Sequence, residues 1–293
     1  MNFGGLDLAY PTIEEATFIV LPVPYDLTAT YQSGSRKGPS AILEASGHME
    51  LYDEELHRET YLSGIFTKPA VEADARGPAE MTASVRQAVS EILAYDGKIP
   101  VVLGGEHSIS FGAVQAMKER YPQISVLQLD AHADLRDNYQ GSPFSHASVG
   151  RRISEICPLI QAGIRSMSSE EAAFLAEGKV KSFSADYILE EPGWCEKICE
   201  HIQGDVYLTI DIDVLDPSIM PATGTPEPGG ISWKALLRLV KEVSSRCRIR
   251  GFDVVELAPI PGMIAPDFLA AKLVYRIMGY LIESTRTDTS VNL

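Results

Sequence analysis

Short apolar runs alternate along this chain with longer segments whose apolar residues recur at helical spacing. Residues 17–23 (TFIVLPV) and 99–103 (IPVVL) are runs of the first kind, and residues 79–95 and 109–120 are segments of the second. This alternation is typical of βαβ units and predicts an α/β fold with a mainly parallel sheet. No repeat, low-complexity tract or linker divides the 293 residues, so we expect one domain over residues 1–293.

The same criteria predict the remaining elements. Further strands are expected at residues 124–129, 159–164, 180–184, 206–212 and 249–255. Further helices are expected at residues 168–177, 233–243 and 266–283. Ser232 stands where an N-cap is needed before the helix at 233–243.

Residues able to do chemistry cluster where predicted strands end. The clusters are GGEHS at 104–108, DAHAD at 130–134, DIDVLD at 211–216 and DVVE at 253–256. The carboxyl ends of parallel strands share one edge of a sheet, and ligands bind at that edge. We therefore expect four segments that are distant in sequence to meet in one crevice.

Two of these clusters have the spacing of a metal site. Residues two apart on an extended backbone point to one side, as Asp130, His132 and Asp134 would, and Asp211 and Asp213 repeat the pattern. Taken singly, an Asp at a strand end often caps the next helix, and a His is more often a satisfied polar residue than a ligand. Carboxylates grouped this densely raise one another's pKa unless a counter-charge is present. The group therefore predicts bound divalent metal.

With His107, the group contains four carboxylates and two imidazoles. The six predicted metal ligands are His107, Asp130, His132, Asp134, Asp211 and Asp213. These are too many for one tetrahedral zinc ion, but they suit two metals about 3.5 Å apart that share bridging carboxylates. Ligands dominated by carboxylate favour a hard ion such as Mn²⁺, so we expect two Mn²⁺ ions per chain.

The charge balance limits the partners of the protein. The chain has 40 Asp+Glu and 25 Lys+Arg residues, a formal net charge of −15. Nucleic acid and anionic membrane surfaces would be repelled, so we expect neither as a partner. An acidic surface also serves solubility. Around the predicted metals, the carboxylates and a bridging hydroxide would leave a negative pocket, which favours a small cationic ligand.

Several features predict a cytoplasmic protein. The N-terminal stretch MNFGGLDLAYPTIEE lacks the basic start and apolar run of a signal peptide. No uncharged apolar stretch reaches the roughly 18 residues that a membrane span requires. The four cysteines have neither a CxxC pair nor the dense spacing of a secreted scaffold, which predicts reduced thiols.

Further motifs complete a family pattern. They are TYQSGSRKGPSAI at 30–42, SHASV at 145–149, GTPEPGG at 224–230 and FDVVELAP at 252–259. Together with GGEHS, DAHAD and DIDVLDP, in this order, they resemble the ureohydrolase (arginase/agmatinase) family, and most closely its agmatinases. The resemblance implies a three-layer α/β/α fold of the arginase type with a mainly parallel central sheet, two Mn²⁺ ions and a homo-oligomer, a trimer or a hexamer.

The resemblance also implies roles for individual residues. His107, Asp130, Asp134 and Asp211 would bind one metal, and Asp130, His132, Asp211 and Asp213 the other. A hydroxide bridging the metals would attack the guanidinium carbon of the substrate. Asp134 would relay its proton to the leaving amine, Glu256 would pair with the guanidinium, and His146 would bind substrate and shuttle protons. The family often has His-Gly where this chain has His146-Ala147.

The substrate expected from the resemblance is agmatine, which would yield urea and putrescine. Arginine is disfavoured because the stretch before His146, LRDNYQGSPFSH, lacks the Ser-Gly-Asn that holds the α-carboxylate in arginases. The SHAS variant resembles relatives that act on N1-aminopropylagmatine, so that substrate remains an alternative. A guanidino acid such as guanidinobutyrate is another, with Arg136 as its carboxylate partner. The other interpretation of Arg136 is a salt bridge to a neighbouring acid or subunit.

Two other classes of protein remain open. A zinc-dependent acetylpolyamine or amide deacetylase shares this fold and an Asp-x-His plus Asp site, but it would not need His107 and Asp134. A non-catalytic binding homologue is disfavoured because no predicted ligand is missing. Counting the metals bound per chain would distinguish a deacetylase from a ureohydrolase. Measuring urea release would distinguish a non-catalytic homologue from an enzyme.

Overall fold

The computed structural model describes residues 1–5 and 11–290, with side chains described as far as Glu283. The single-domain prediction over residues 1–293 includes residues 6–10 and 291–293, which lie outside the described residues, and it stays a prediction. The four cysteines are free thiols, as predicted. Among the described residues, no helix combines the length and the apolar character that crossing a membrane requires.

Eight parallel strands form the central sheet. They are β1 (Phe18–Val23), β4 (Ile65–Thr67), β5 (Ile99–Gly104), β6 (Ser125–Leu129), β7 (Leu159–Ile164), β8 (Lys181–Ser184), β9 (Val206–Asp211) and β10 (Ile249–Val255). Their order across the sheet is β4-β1-β5-β10-β9-β6-β7-β8. A separate antiparallel pair joins β2 (Tyr52–Asp53) to β3 (Arg58–Glu59).

Helices cover both faces of this sheet. They are α1 (Gly38–Ser46), α2 (Pro78–Leu93), α3 (Ser110–Arg120), α4 (Val149–Ser154), α5 (Ser169–Ala176), α6 (Ala185–Glu190), α7 (Trp194–Cys199), α8 (Trp233–Arg246) and α9 (Ala265–Ser290). Ser232 caps α8 as predicted, because its side chain accepts a hydrogen bond from the Ala235 amide at 3.2 Å. The predicted mainly parallel α/β architecture is confirmed.

Each strand contributes to two cores because successive side chains point to opposite faces. In β1, Phe18 and Val20 belong to the core under α1, α8 and α9, whereas Ile19 and Leu21 belong to the core under α2 and α3. Strands buried on both faces have continuous apolar sequences rather than alternating ones. This explains why runs such as TFIVLPV are apolar throughout.

The structure also contains elements that the sequence did not predict. The edge strand β4 has three residues, and α1 begins at a Gly-Pro pair inside the motif at 30–42. Proline is well suited to the first turn of a helix, where its missing N–H needs no partner. Gly38 is required at the start of α1, since a Cβ there would lie 2.6 Å from the Leu257 carbonyl oxygen. The helix therefore packs directly against the segment that follows β10.

Candidate metal centre and active site

The four chemical clusters meet at the carboxyl edge of the sheet, as predicted. They follow β5, β6, β9 and β10, which are neighbours in the order β5-β10-β9-β6. Segments that are far apart in sequence thus end side by side in the middle of the sheet. The resulting site is formed by the ends of four strands rather than by one loop.

His107 lies at the centre of the first group of potential ligands. Its Nδ1 is 3.0 Å from Asp130 Oδ2, 3.3 Å from Asp134 Oδ2 and 3.5 Å from Asp211 Oδ2. Although these oxygens are close, none is aligned for a hydrogen bond, so this fully buried nitrogen has no hydrogen-bond partner among the described residues. Buried polar atoms in native proteins nearly always have partners. An unpaired nitrogen facing three carboxylates indicates a site for a cation.

The hydrogen bonds on the opposite side of the His107 ring favour the tautomer that can bind a metal through Nδ1. Nε2 lies 2.9 Å from Thr209 Oγ1, and that hydroxyl donates to Asp253 Oδ1 at 2.6 Å. Asp253 also accepts from the Tyr207 hydroxyl at 2.8 Å. Because the Thr209 proton is given to Asp253, the hydroxyl accepts from Nε2–H, which leaves Nδ1 with a free lone pair. Such second partners orient metal-binding imidazoles.

A second group forms around His132. Its Nδ1 lies 2.9 Å from Asp213 Oδ2 and 3.8 Å from Asp130 Oδ1. Asp130 therefore belongs to both groups, with Oδ2 towards His107 and Oδ1 towards His132. Asp130 would therefore be able to donate one oxygen to each of two metals.

Hydrogen bonds hold the Asp130 carboxylate in this position. Gln128 donates to Asp130 Oδ2 at 2.7 Å, and Gln161 donates to Gln128 Oε1 at 3.0 Å. The backbone amide of His132 donates to Asp130 Oδ1 at 2.6 Å. Both glutamines are fully buried. Neither is charged, so sequence reasoning based on ionisable residues did not single them out.

Three acids of the site resist ionisation in the absence of metal. Burial, together with Asp130, raises the pKa of Asp134 to about 7. Burial and the neighbouring carboxylates Asp213 and Asp130 raise the pKa of Asp211 well above its usual value. Burial and Glu106 raise the pKa of Glu256 to about 8. Groups with this environment release their protons readily only when a cation compensates them.

Asp134 and Glu256 also have unusual backbones. Their φ angles are +52° and +64°, in the left-handed region that residues other than glycine rarely adopt. Backbone strain of this kind concentrates at functional sites. At Glu256 the amide donates to the Gly105 carbonyl at 2.7 Å, and Oε1 accepts from the His107 amide at 2.7 Å. The turn thus directs the carboxylate back into the site.

A cavity of about 250 Å³ opens above the two groups. Its wall includes residues from the strand ends, from the loop after β1 and from the turn that contains His146: His107, Asp134, Asp211, Glu256, Thr30, Tyr31 and His146. The His146 ring meets the Tyr139 ring edge to face, with centroids 5.8 Å apart. The metal groups, Glu256 and His146 therefore share one space.

Arg136 also lies on the cavity wall. Its Nε is 3.8 Å from Glu171 Oε2, and its guanidinium lies over the Tyr139 ring, 4.9 Å from the centroid. Glu171 is held in turn by the amides of Leu135 and Ser168. The structure thus shows the salt bridge to a neighbouring acid. A role in binding a substrate carboxylate stays a prediction.

The loop at 224–230 is fixed to the site by two residues. Asp216 accepts hydrogen bonds from the amides of Ser218, Gly229 and Gly230, and so ties the loop to the segment that follows β9. The Arg165 guanidinium donates to backbone carbonyls on both sides, among them that of Asp213 at 2.7 Å. Arg165 was missed because its partners are carbonyl groups, which leave no signal in a sequence.

A sequence model of the family described as "Arginase family" matches residues 16–279 of the chain. The chain belongs to the arginase family. The ureohydrolase assignment made from the motifs is therefore confirmed, and with it the assignment as a hydrolase.

Individual relatives agree with this assignment over almost the whole chain. An N(1)-aminopropylagmatine ureohydrolase from Synechocystis sp. is 38% identical over 285 residues, which cover 95% of this chain and 93% of that protein. An agmatinase from Bacillus anthracis is 36% identical over 260 residues, covering 86% and 87%. The crystal structure of agmatine ureohydrolase of Thermoplasma volcanium has a TM-score of 0.88 and 30% identity, covering 98% of this chain and 96% of that one.

The family's fold is the one observed, so the arginase-like α/β prediction is confirmed. In this ureohydrolase the six predicted ligands and Glu256 lie together, whereas His146 approaches from the loop before α4. The individual roles of these residues stay predictions. The polar partners behind them, including Thr209, Asp253 and the two glutamines, are what sequence reasoning missed.

Proposed function

We propose that this ureohydrolase cleaves the guanidinium group of agmatine with water to give urea and putrescine, with two Mn²⁺ ions as cofactors. One observation carries the proposal. Two His/Asp groups that share Asp130 lie below a cavity whose wall also contains the buried carboxylate of Glu256. The two His/Asp groups could each bind a metal cation. The Glu256 carboxylate could bind a third cation, the guanidinium of the substrate.

The residues fit a pair of divalent ions. His107 Nδ1 is buried, unpaired and close to three carboxylates, and the partly exposed His132 places Nδ1 2.9 Å from Asp213 Oδ2 and 3.8 Å from Asp130 Oδ1. Oxygen-rich donors with one imidazole for each ion favour a hard metal, which supports Mn²⁺. When bound, two such ions lower the pKa of a shared water towards 7 and so supply hydroxide at neutral pH.

Glu256 is the proposed partner of the substrate guanidinium. A planar guanidinium donates two parallel N–H bonds to a carboxylate, an arrangement with strong directional preference. The His107 amide already holds Oε1 of Glu256, which fixes the carboxylate plane before substrate arrives. Because burial raises the pKa of Glu256 to about 8, a cationic substrate is also the counter-charge that this carboxylate requires.

Asp134 and His146 are the proposed proton carriers. As water oxygen bonds to the guanidinium carbon, an Asp134 carboxylate oxygen accepts the water proton and passes it to the nitrogen that leaves as the amine. The C–N bond then breaks, and urea and a primary amine remain. His146 exchanges protons between the cavity and solvent from its neutral form, since burial lowers its pKa to about 4 and a neutral imidazole has one donor and one acceptor nitrogen.

N1-aminopropylagmatine is the second candidate substrate. The relative from Synechocystis sp. bears that name. Two side chains on the cavity wall, Tyr31 and Met167, are 81% and 44% exposed, so the cavity is open past an aromatic and a flexible apolar side chain. Such a mouth suits the longer chain of a substituted polyamine.

Relative kcat/KM values on Mn²⁺-loaded protein test the proposal. The substrates are agmatine, N1-aminopropylagmatine, guanidinobutyrate and arginine, with urea release as the measured quantity. We expect one of the first two to be cleaved fastest, and preference for arginine would contradict the proposal. Metal analysis adds a second test, because two ions per chain agree with a ureohydrolase and one ion agrees with a deacetylase.

A further inference from the structure

Glu106 is a buried carboxylate that neither metal group nor the proposed substrate partner uses. It is fully buried beside His107 in the GGEHS motif. A carboxylate is costly to bury unless hydrogen bonds satisfy it. Oε2 of Glu106 accepts from the Thr28 amide at 2.6 Å, and Oε1 accepts from the hydroxyls of Thr28, at 2.7 Å, and Ser108. The fold therefore uses this acid chiefly to hold Thr28.

Thr28 connects Glu106 to His146. It lies in the loop after β1, which also supplies Thr30 and Tyr31 to the cavity wall. The Thr28 hydroxyl oxygen is 3.1 Å from the backbone nitrogen of His146 and 3.1 Å from His146 Nδ1. Three polar groups thus surround a single hydroxyl: one carboxylate, one amide and one imidazole nitrogen.

The direction of these hydrogen bonds follows from the chemistry of a hydroxyl, which has one proton to donate and two lone pairs. The Thr28 hydroxyl donates its one proton to Glu106 Oε1 at 2.7 Å. Both lone pairs are then available to His146, and one accepts its backbone N–H. The other accepts from Nδ1, which must therefore carry a hydrogen. Nε2 is left as the nitrogen with a free lone pair.

We propose that Glu106 and Thr28 are positioning residues that hold His146 in the tautomer with the proton on Nδ1, so that Nε2 exchanges protons in the cavity. The Tyr139 ring, perpendicular to that of His146, restrains the imidazole from another side. The catalytic part of this proposal rests on the proposed function. The tautomer itself does not, since it follows from the hydrogen bonds alone.

Substitutions at Thr28 separate positioning from simple tethering of the loop. Thr28→Val removes the hydroxyl and keeps the shape, whereas Thr28→Ser keeps the hydroxyl and removes the methyl group. The control is Thr17→Val, the same change immediately before β1, at the opposite end of that strand. General acid–base catalysis contributes about 10²–10⁴-fold, and a misoriented imidazole loses part of it. For Thr28→Val we expect kcat to fall about 10-fold.

The kinetic pattern decides between the two roles. We expect Thr28→Val to leave KM within about 2-fold and metal content unchanged, and Thr28→Ser to recover most of kcat. A rise in KM at constant kcat would show that Thr28 only tethers the substrate loop. Equal impairment of the Val and Ser variants would show that packing of the methyl group matters instead. Either result would overturn the proposal.

The tautomer can be observed without any turnover. In full-length protein labelled with ¹⁵N-histidine and loaded with diamagnetic Mg²⁺, two-bond ¹H–¹⁵N spectra report which ring nitrogen is protonated. The His146 signals are those that disappear in His146→Ala. We expect the Nδ1–H pattern in the wild type and a mixture with Nε2–H in Thr28→Val. An Nε2–H pattern in the wild type would refute the positioning proposal even if agmatine proved to be the substrate.

Discussion

Two clusters of buried charge in this protein differ in where their counter-charge comes from. In the Arg276 cluster, acids of the β2–β3 region surround a guanidinium on α9 that is 4% exposed: Asp53 contacts Nε at 2.6 Å, Glu54 contacts Nη2 at 2.6 Å, and Glu55 contacts Nη1. In the metal cluster, defined by the six predicted ligands, four carboxylates meet with two imidazoles, and no arginine or lysine of the described residues forms an ion pair with those carboxylates.

The pKa values of Asp134 and Asp211 are raised, whereas those of Glu54 and Glu55 are lowered. Asp213 is the exception in the metal cluster, because His132 lowers its pKa against the effect of burial. A backbone hydrogen bond and Arg276 lower the pKa of Glu54, and although burial opposes it, hydrogen bonds from Lys241 and Tyr280 lower the pKa of Glu55. In the metal cluster, burial and neighbouring acids raise the pKa of Asp134 to about 7. The first cluster carries its own cation and is structural. The second has only its two imidazoles as cations, because the neighbouring carboxylates raise the pKa values of His107 and His132 against the effect of burial, and such perturbed groups are typical of a binding site.

The largest effect is expected from Asp130→Asn, which removes the carboxylate common to both metal groups. Loss of the shared ligand should abolish binding of both ions and lower kcat by about 10³-fold or more, because the nucleophile is no longer generated at neutral pH. Metal analysis and urea release measure the two effects. Near-normal activity would contradict the binuclear arrangement. The folded state should survive, since the substitution removes charge repulsion.

Arg276→Met should lower stability and leave metal binding intact, the opposite of what we expect for Asp130→Asn. It leaves Asp53 buried without its cation, and breaking a buried ion pair from one side costs about 3–5 kcal/mol. We expect a large loss in the free energy of unfolding, measured by denaturant titration, with metal content per folded chain unchanged. Arg276→Lys is the control, because it keeps the charge and loses the planar fork. Loss of metal before loss of fold would mean that the two clusters are not independent.

His146→Ala should leave both clusters intact and still lower turnover. His146 contacts neither group within hydrogen-bond distance, since its polar contacts in the described structure are with Thr28. We expect kcat to fall about 10²-fold, the lower end of the range for an acid–base residue. Metal content should remain at the wild-type value, and its loss would place His146 among the ligands. The Tm should change little.

The same comparison explains what could be predicted from sequence. The metal ligands were identified because they are ionisable, spaced two apart and located at strand ends, which parallel topology brings together. Asp53 and Arg276 carry charges of the same kind, but their contact depends on how α9 lies against the β2–β3 pair. No local pattern records that packing, and β2 and β3 have two residues each.

The uncharged residues that hydrogen-bond to the site residues were harder to predict from the sequence. Thr209 and Gln128 read as ordinary strand residues, although each precedes a predicted ligand by two positions and so points to the same side. Thr28 is more distant still, since it lies 118 residues from His146 in the chain. Only the order of strands across the sheet brings these groups together, and the sequence predicts strands more readily than it predicts their order.

The last and most specific comparison between the two clusters concerns how the free energy of unfolding depends on pH. In metal-free protein the pKa values of Asp134 and Glu256 are about 7 and about 8, above the 3.8 and 4.5 of the unfolded chain. The folded state therefore binds more protons than the unfolded state across this interval. Stability from these groups is fully present below about pH 4 and is lost as the pH rises through 7 to 8. Saturating metal abolishes the loss because it compensates the ionised carboxylates.

We therefore expect the difference in unfolding free energy between metal-loaded and metal-free protein to widen from pH 5 to pH 8, by about 1.4 kcal/mol per pH unit for each group that stays protonated in the folded state. Taking the difference between the two forms removes the titration of the rest of the surface. The Arg276 cluster should contribute nothing to it, because the pKa values of Glu54 and Glu55 are lowered and both stay ionised above pH 5. Asp134→Asn should reduce the widening, whereas Glu54→Gln should not. A constant difference across this range would mean that the metal cluster, like the Arg276 cluster, already contains the charge it needs.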